Sequence, residues 1–294
     1  MPKVDNAIIM AAGLSSRFAP LSYETHKALI KVKGEVLIER QIKQIKQVGI
    51  REIVIVVGYK KEQFEYLREK FGVVLIENPE YMTRNNNGSL YAARQYMKNS
   101  YICSSDNYFS TSPFEAEVDE SYYAALYSHG ETKEWCMTED ENGYITSVTI
   151  GGANAYYMLG HAFFTESFSR KFIEILLSIY HQPETAGLLW ESIFARNLLV
   201  LPMKIRKYSA KDIFEFDTLD ELRDFDPTYR TDSGSAVMKK ISALLNCKEG
   251  DLTGLLPIKD EWGSVIGVSF NSPKGCKSFY YEKNILEDKP CPIL

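Results

Sequence analysis

The stretch Ala11-Ala12-Gly13-Leu14-Ser15-Ser16-Arg17, followed by Lys27, has the residue types of an anion-binding loop. Small side chains let a backbone approach a phosphate and aim its N–H groups at it. Arg17 and Lys27 add fixed positive charge. The loop follows a short apolar run, residues 7–12, that reads as a buried strand. That places it at the carboxyl end of a strand, where open α/β sheets bind ligands. It lacks the Gly-Lys-Ser/Thr of a Walker loop and is not G-x-G-x-x-G. On residue types alone, a phosphate cradle and a turn bearing two surface cations fit equally well. A hydrolase elbow has no support, because Gly13-Leu14-Ser15-Ser16-Arg17 lacks the second glycine it needs.

Such a loop needs a sheet to hold it. Residues 35–48 put Val36, Leu37, Ile38, Ile42, Ile45 and Val48 on one helical face, and Gly49 stops the helix. The β-branched run 53–57 reads as a strand buried on both faces. A charged helix over 60–70, a strand over 73–76, a helix over 89–97 and a strand over 101–104 follow, the last running into Asp106. This alternation predicts an α/β fold with a doubly wound, mostly parallel sheet. Four further strands are expected near 122–127, 134–137, 144–150 and 156–159. Helices follow over 166–180 and 188–198, closing strands at 203–207 and 213–216, and a short helix over 219–225.

The polar, turn-rich stretch 226–235 marks a boundary, giving one domain over 1–228 and a small module over 229–294. In the module, 236–245 reads as a helix, and 265–270 with 279–281 as a hairpin. Its Leu252 to Lys259 stretch faintly resembles the opening of choline-kinase-like N-lobes, but the region is too short for a kinase site. A docking or oligomerisation appendage is expected, with the oligomeric state open.

Composition narrows the class. Apolar residues are 45% and charged residues 25%, which excludes disorder and coiled coil. Lys and Arg number 34 against 39 Asp and Glu, a net charge of −5 with no basic stripe, so no nucleic-acid partner is expected. Cys103, Cys136, Cys247, Cys276 and Cys291 are scattered without Cys-x-x-Cys, which reads as reduced thiols in the cytoplasm. His26, His129, His161 and His181 show no metal spacing. No apolar run is long enough to span a membrane, and the N-terminus does not read as a signal peptide.

The loop, Thr25-His26-Lys27-Ala28-Leu29, Val57-Gly58-Tyr59, Asn85-Asn86, Ser89-Leu90-Tyr91 and Asp106-Asn107-Tyr108 together resemble the nucleotidyltransferase superfamily. Within it, the chain most resembles bacterial CTP:phosphocholine cytidylyltransferases, in order over about residues 4–225. Ser15 stands where the family has a second loop glycine, and His26 where it has a proline.

The resemblance implies a Rossmann-like fold, with Arg17 and Lys27 catalytic and Ala11 to Ser16 on the nucleotide. It implies that Asn85, Asn86 and Ser89 lie at the pyrimidine base. Asp106 contacts the nucleotide, and Asp106 with Asp217 holds Mg²⁺, a hard ion that takes carboxylate and phosphate oxygens. Read without it, Asp106 is equally an Asx turn and Asp217 a helix N-cap. Trp135 and Trp190, with Glu191, Glu215 and Tyr157, are implied to box a trimethylammonium group, which aromatic faces hold well. As plain sequence, both tryptophans fit a core, the commoner fate of tryptophan. Leu188 and Leu189 depart from the family's acid and aromatic there, leaving phosphoethanolamine or 2-aminoethylphosphonate open. The expected reaction is CMP transfer from CTP to phosphocholine or a similar phospho-amine. A sugar-1-phosphate nucleotidylyltransferase and a non-catalytic nucleotide sensor are the alternatives.

Overall fold

The computed structural model describes residues 2–289. They form two compact units: one runs up to Gly13 and resumes over Leu37–Glu215, and the other joins Leu14–Val36 to the chain from Phe216 onward. This division follows a different line from the composition break at 229.

In chain order the strands are β1 (Asn6–Ala11), β2 (Lys31–Val32), β3 (Glu35–Val36), β4 (Glu52–Val57), β5 (Val74–Glu77), β6 (Ser100–Ser104), β7 (Asn107–Phe109), β8 (Tyr122–Tyr127), β9 (Glu131–Glu139), β10 (Ile145–Ala153), β11 (Tyr156–Phe164), β12 (Lys204–Lys207), β13 (Ile213–Glu215), β14 (Thr253–Lys259), β15 (Val265–Ser272), β16 (Gly275–Tyr280) and β17 (Ile285–Asp288). The α-helices are α1 (Leu21–Glu24), α2 (Leu37–Gln47), α3 (Tyr66–Phe71), α4 (Asn86–Ala93), α5 (Glu166–Ile179), α6 (Trp190–Ala195), α7 (Leu219–Phe225) and α8 (Ala236–Leu245).

The first unit is a mixed nine-stranded sheet ordered β10-β9-β11-β6-β1-β4-β5, with β8 pairing both β11 and β12. β1 lies parallel between β4 and β6, and β4 pairs parallel with β5. The β-branched run of β4 is buried from Ile53 to Val57, as a strand covered on both faces must be. Register sets Met10 opposite Val56 and Ser104, so the carboxyl ends of β1, β4 and β6 are level. The antiparallel strands β8 to β11 extend the sheet and carry Trp135 and Tyr157.

Several boundaries differ from the periodicity. The expected helix over 60–70 is a 3-10 turn, Lys61–Phe64, followed by α3. Lys60 sits at φ 53°, in the left-handed region, which stops a regular helix from starting there. The 188–198 helix shrinks to α6, and β9, β10 and β11 each extend to nine residues.

The second unit begins with short pieces: 3-10 turns at Ser16–Phe18 and Lys27–Leu29, α1, and the β2–β3 hairpin. It continues with α7, α8 and a four-stranded antiparallel sheet, β14-β15-β16-β17, which contains the expected hairpin. Cys103, Cys136 and Cys247 are free thiols. Cys276 is disulfide-bonded, which corrects the expectation of reduced thiols throughout. Cys291 lies outside the described residues. No helix among the described residues is long and apolar enough to cross a membrane.

Candidate active site

In the first unit, β1 delivers Ala11, Ala12 and Gly13 to the carboxyl edge of the sheet. Ala12 O accepts a hydrogen bond from Tyr59 N–H at 3.1 Å, and Met10 O accepts one from Ser105 N–H at 3.2 Å. The turn holding Asp106 is thereby fixed beside the end of β1, as expected. A Cβ on Gly58 would lie 2.8 Å from Ala12 O, so only glycine lets this strand end pass so close. A Cβ on Gly13 would meet nothing within 4 Å. Gly13 therefore leaves open space at the loop.

The second unit carries Leu14, Ser15, Ser16, Arg17, Lys27 and Asp217. Ser15 adopts φ 49°, ψ 38°, the left-handed conformation that glycine takes readily. That explains the glycine expected there and shows that serine keeps the same backbone. Phe18 N–H donates to Ser15 O at 2.9 Å, closing the turn under Arg17. His26 is buried, and its Nδ1 accepts from Ala28 N–H at 3.1 Å. It caps the turn that starts at Lys27, as a shaping residue would. Lys27 is 5% exposed, with its ammonium 5.5 Å from the Phe18 ring centroid.

Asp217 is not the helix cap. Thr218 fills that position through a capping box with Glu221. The Asp217 carboxylate instead pairs with Arg17 at 2.7 Å, a contact the sequence did not suggest.

The asparagines hold a neighbouring segment of the chain. Asn85 caps α4 and donates from Nδ2 to Gly187 O at 3.3 Å. Asn86 accepts at Oδ1 from Trp190 N–H at 2.7 Å and donates from Nδ2 to Glu191 Oε2 at 3.0 Å. Asn87, which the sequence reading passed over, is 1% exposed and donates to Thr185 O at 3.2 Å and to Leu188 O. Three successive amides thus clamp the 185–191 segment that leads into α6. The side chains of Asn85 and Asn86 both join that clamp. Ser89 is buried, within 3.4 Å of Asn78 Nδ2.

Trp190 is 1% exposed. Tyr123 stacks on it at 5.4 Å, and Phe164 and Phe172 meet it edge-on. It is a core residue, which corrects the expectation of an open pocket wall. Trp135 packs partly buried against the same cluster. Tyr157 pairs with Cys136 and Leu126, out of phase with Tyr156 and Met158, which pack with that cluster. Strand alternation therefore puts Tyr157 on the other face of the sheet from both indoles.

Carboxylates lie among these residues. Tyr123 O–H donates to Glu191 Oε1 at 3.1 Å, and Asn107 Nδ2 donates to Glu215 Oε2 at 3.2 Å. Burial, and then Glu191 and Glu215, push the Tyr123 hydroxyl pKa well up. Burial, and then Glu134 and Glu215, raise that of Tyr157. Burial raises the Glu191 pKa, while hydrogen bonds from Asn86 and Tyr123 oppose the rise. The charges acting on the Tyr123 and Tyr157 hydroxyls are carboxylates. Tyr123, Glu134 and Asn107 were missed because strand pairing, not spacing, brings them here.

Residues 7–145 match the MobA-like NTP transferase domain. The choline-phosphate cytidylyltransferase of Streptococcus pneumoniae is 33% identical over 217 residues, covering 74% of this chain and 95% of that protein. The chain belongs to this cytidylyltransferase family. The 2-aminoethylphosphonate cytidylyltransferase of Lancefieldella rimae is 36% identical over 228 residues, or 76% of this chain and 93% of that one. A solved CTP:phosphocholine cytidylyltransferase from S. pneumoniae superposes with a TM-score of 0.74 at 32% identity, covering 77% of this chain and 99% of that chain. This cytidylyltransferase is thus a nucleotidyltransferase with the Rossmann-like sheet and an additional small antiparallel sheet at its C-terminal end.

Proposed function

We propose that this enzyme transfers CMP from CTP to a phosphorylated amine, with phosphocholine as the leading acceptor. A phosphate oxygen of the acceptor attacks the α-phosphorus, the bond to the β-phosphate oxygen breaks, and pyrophosphate leaves. The acceptor is an anion at neutral pH, so no strong base is needed. The obstacle is repulsion between two anions, which positioning and fixed positive charge overcome. The reading rests on one observation: the Glu191 carboxylate is held by the Tyr123 hydroxyl at 3.1 Å and by Asn86 Nδ2 at 3.0 Å, and Tyr123 stacks on Trp190. Such a lining suits an acceptor with a positive end.

In this reading Gly13 and its neighbours admit the phosphates, Lys27 offsets charge at the α-phosphate, and Arg17 leaves Asp217 for the β- and γ-phosphates. Asp106 and Asp217 carry the hard oxygens that suit magnesium, which, bound, would supply further charge neutralisation. Trp135 with Tyr123 and Glu191 receives the ammonium end, and the Glu215 and Glu134 carboxylates add negative potential. The cytoplasm, where CTP is at hand, is the setting, and residues 1–228 are the catalytic domain.

A second acceptor class is favoured by the closure of Tyr123, Phe164 and Phe172 over Trp190. With one indole withdrawn, carboxylates that accept N–H bonds suit a primary ammonium such as 2-aminoethylphosphonate or phosphoethanolamine. Pyrophosphate release, measured with each of four nucleoside triphosphates against these acceptors and a sugar phosphate, tests both readings. We expect CTP with a phospho-amine to be turned over. Turnover only with the sugar phosphate, or with no pair at all, would overturn the assignment.

A further inference from the structure

The residues beyond 229 have no part in the chemistry above, yet they share a compact unit with the segment that carries Ser15, Arg17 and Lys27. That segment cannot shape itself. Its longest helix is α1, with four residues, and isolated helices of that length are not stable. Its conformation must come from what packs on it.

The contacts are specific. Glu24, at the end of α1, accepts from Ala236 N–H at 2.8 Å, from Val237 N–H at 3.4 Å and from the Ser235 hydroxyl. Its carboxylate thus stands at the N-terminus of α8, where unpaired N–H groups and the helix dipole favour an anion. Tyr23 stacks on Tyr281 at 4.0 Å, with 28° between the planes. Tyr229 O–H donates to Lys31 O, and Lys33 N–H donates to Asp226 Oδ2 at 2.7 Å. β14 packs against the Ser16–Phe18 turn that bears Arg17.

We propose that residues 226–289 are a brace that sets the conformation of residues 14–36 and so positions Arg17 and Lys27 for the transfer. Glu24 and Tyr281 are positioning residues. The module is an internal support of the catalytic loop, in place of the docking appendage expected from sequence. The inference rests on Arg17 and Lys27 acting on the triphosphate, as proposed above.

The test uses the full-length chain with Tyr281→Ala, Glu24→Ala and the ring-preserving Tyr281→Phe. Misplacing catalytic groups by an ångström costs about 10²-fold, so kcat/KM for CTP should fall towards that in both alanine variants. The acceptor KM should hold within about twofold, since the acceptor contacts are untouched. Amide exchange over residues 15–29 should speed up while β1, β4 and β6 keep their protection. Tyr281→Phe should behave as wild type. Unchanged CTP kinetics in Tyr281→Ala, or equal damage from Tyr281→Phe, would overturn the brace. If Tyr281→Ala does not fold, Glu24→Gln gives the same readout. If the wild type releases no pyrophosphate, the functional reading fails by itself. Exchange over residues 15–29 then decides the brace: faster exchange in the alanine variants supports it, and unchanged exchange sinks it.

Discussion

Lys27 combines burial with charge. At 5% exposure its stem is packed and its ammonium is withdrawn from bulk water, where a fixed charge acts strongly on a nearby phosphate. Removing one preorganised group of this kind costs about 10²–10³ in rate. Lys27→Met, which keeps the stem, should therefore lose turnover by that order while melting near the wild-type temperature, as read by pyrophosphate release and a thermal melt. Near-normal turnover would remove Lys27 from the mechanism. Asn86 has an orientation fixed by its neighbours: Trp190 N–H can only donate, so the atom facing it is Oδ1, and Nδ2 is left for Glu191. Asn86→Asp replaces that donor with a second carboxylate beside Glu191. We expect the KM for the phospho-amine to rise several-fold, with the preference for CTP over UTP intact. A lost preference for CTP would place Asn86 at the base.

Elements decide how closely the loops can meet. Gly58 follows β4, and a Cβ there would fall 2.8 Å from Ala12 O, a backbone atom at the end of β1. Backbone cannot yield as the tip of a side chain can. Gly58→Ala should cost about 1–3 kcal/mol, the range seen for overpacking, measured by denaturant unfolding. It should also weaken CTP binding, because Ala12 leads into the anion loop. A fully stable variant would show that the strand ends can part without strain. The same logic explains α4 and α6. Periodicity started α4 near Ser89, but Asn85 caps it earlier, and α6 begins only where Asn86 holds the Trp190 amide. Caps made across the fold are not visible in a local pattern.

Across the molecule, one buried base makes stability depend on pH. His161 is fully buried in the first unit, hydrogen-bonded with the Tyr122 hydroxyl at 2.9 Å. Burial, helped by the positive charge of Arg206, holds its pKa down to about 3. The unfolded chain takes up a proton there near the ordinary value of about 6.5. His161 thus contributes stability that is complete above that value and is lost as pH falls towards 3. The slope is about 1.4 kcal/mol per pH unit for one proton. His161→Phe should flatten the unfolding free energy between those pH values by one proton's worth, as followed by denaturant titration. An unchanged slope would mean that the imidazole is already charged in the fold.

Composition, alternating periods and the quoted motifs were enough to read an α/β sheet with a phosphate-type loop at the end of β1 and Asp106 beside it. Those features are local: a β-branched run is a strand and a small-residue turn is open wherever it folds. The motif likeness to cytidylyltransferases was equally legible, since it rests on residue identity in order. Pairings between distant residues were not legible. The Arg17–Asp217 ion pair, the clamp of Asn85, Asn86 and Asn87 on residues 185–191, the withdrawal of Trp190 under Tyr123 and the cap that Glu24 places on α8 each join residues far apart in the chain. A side chain's charge or amide is written in its own letter, but its partner is set by strand order and packing, which only the folded chain defines.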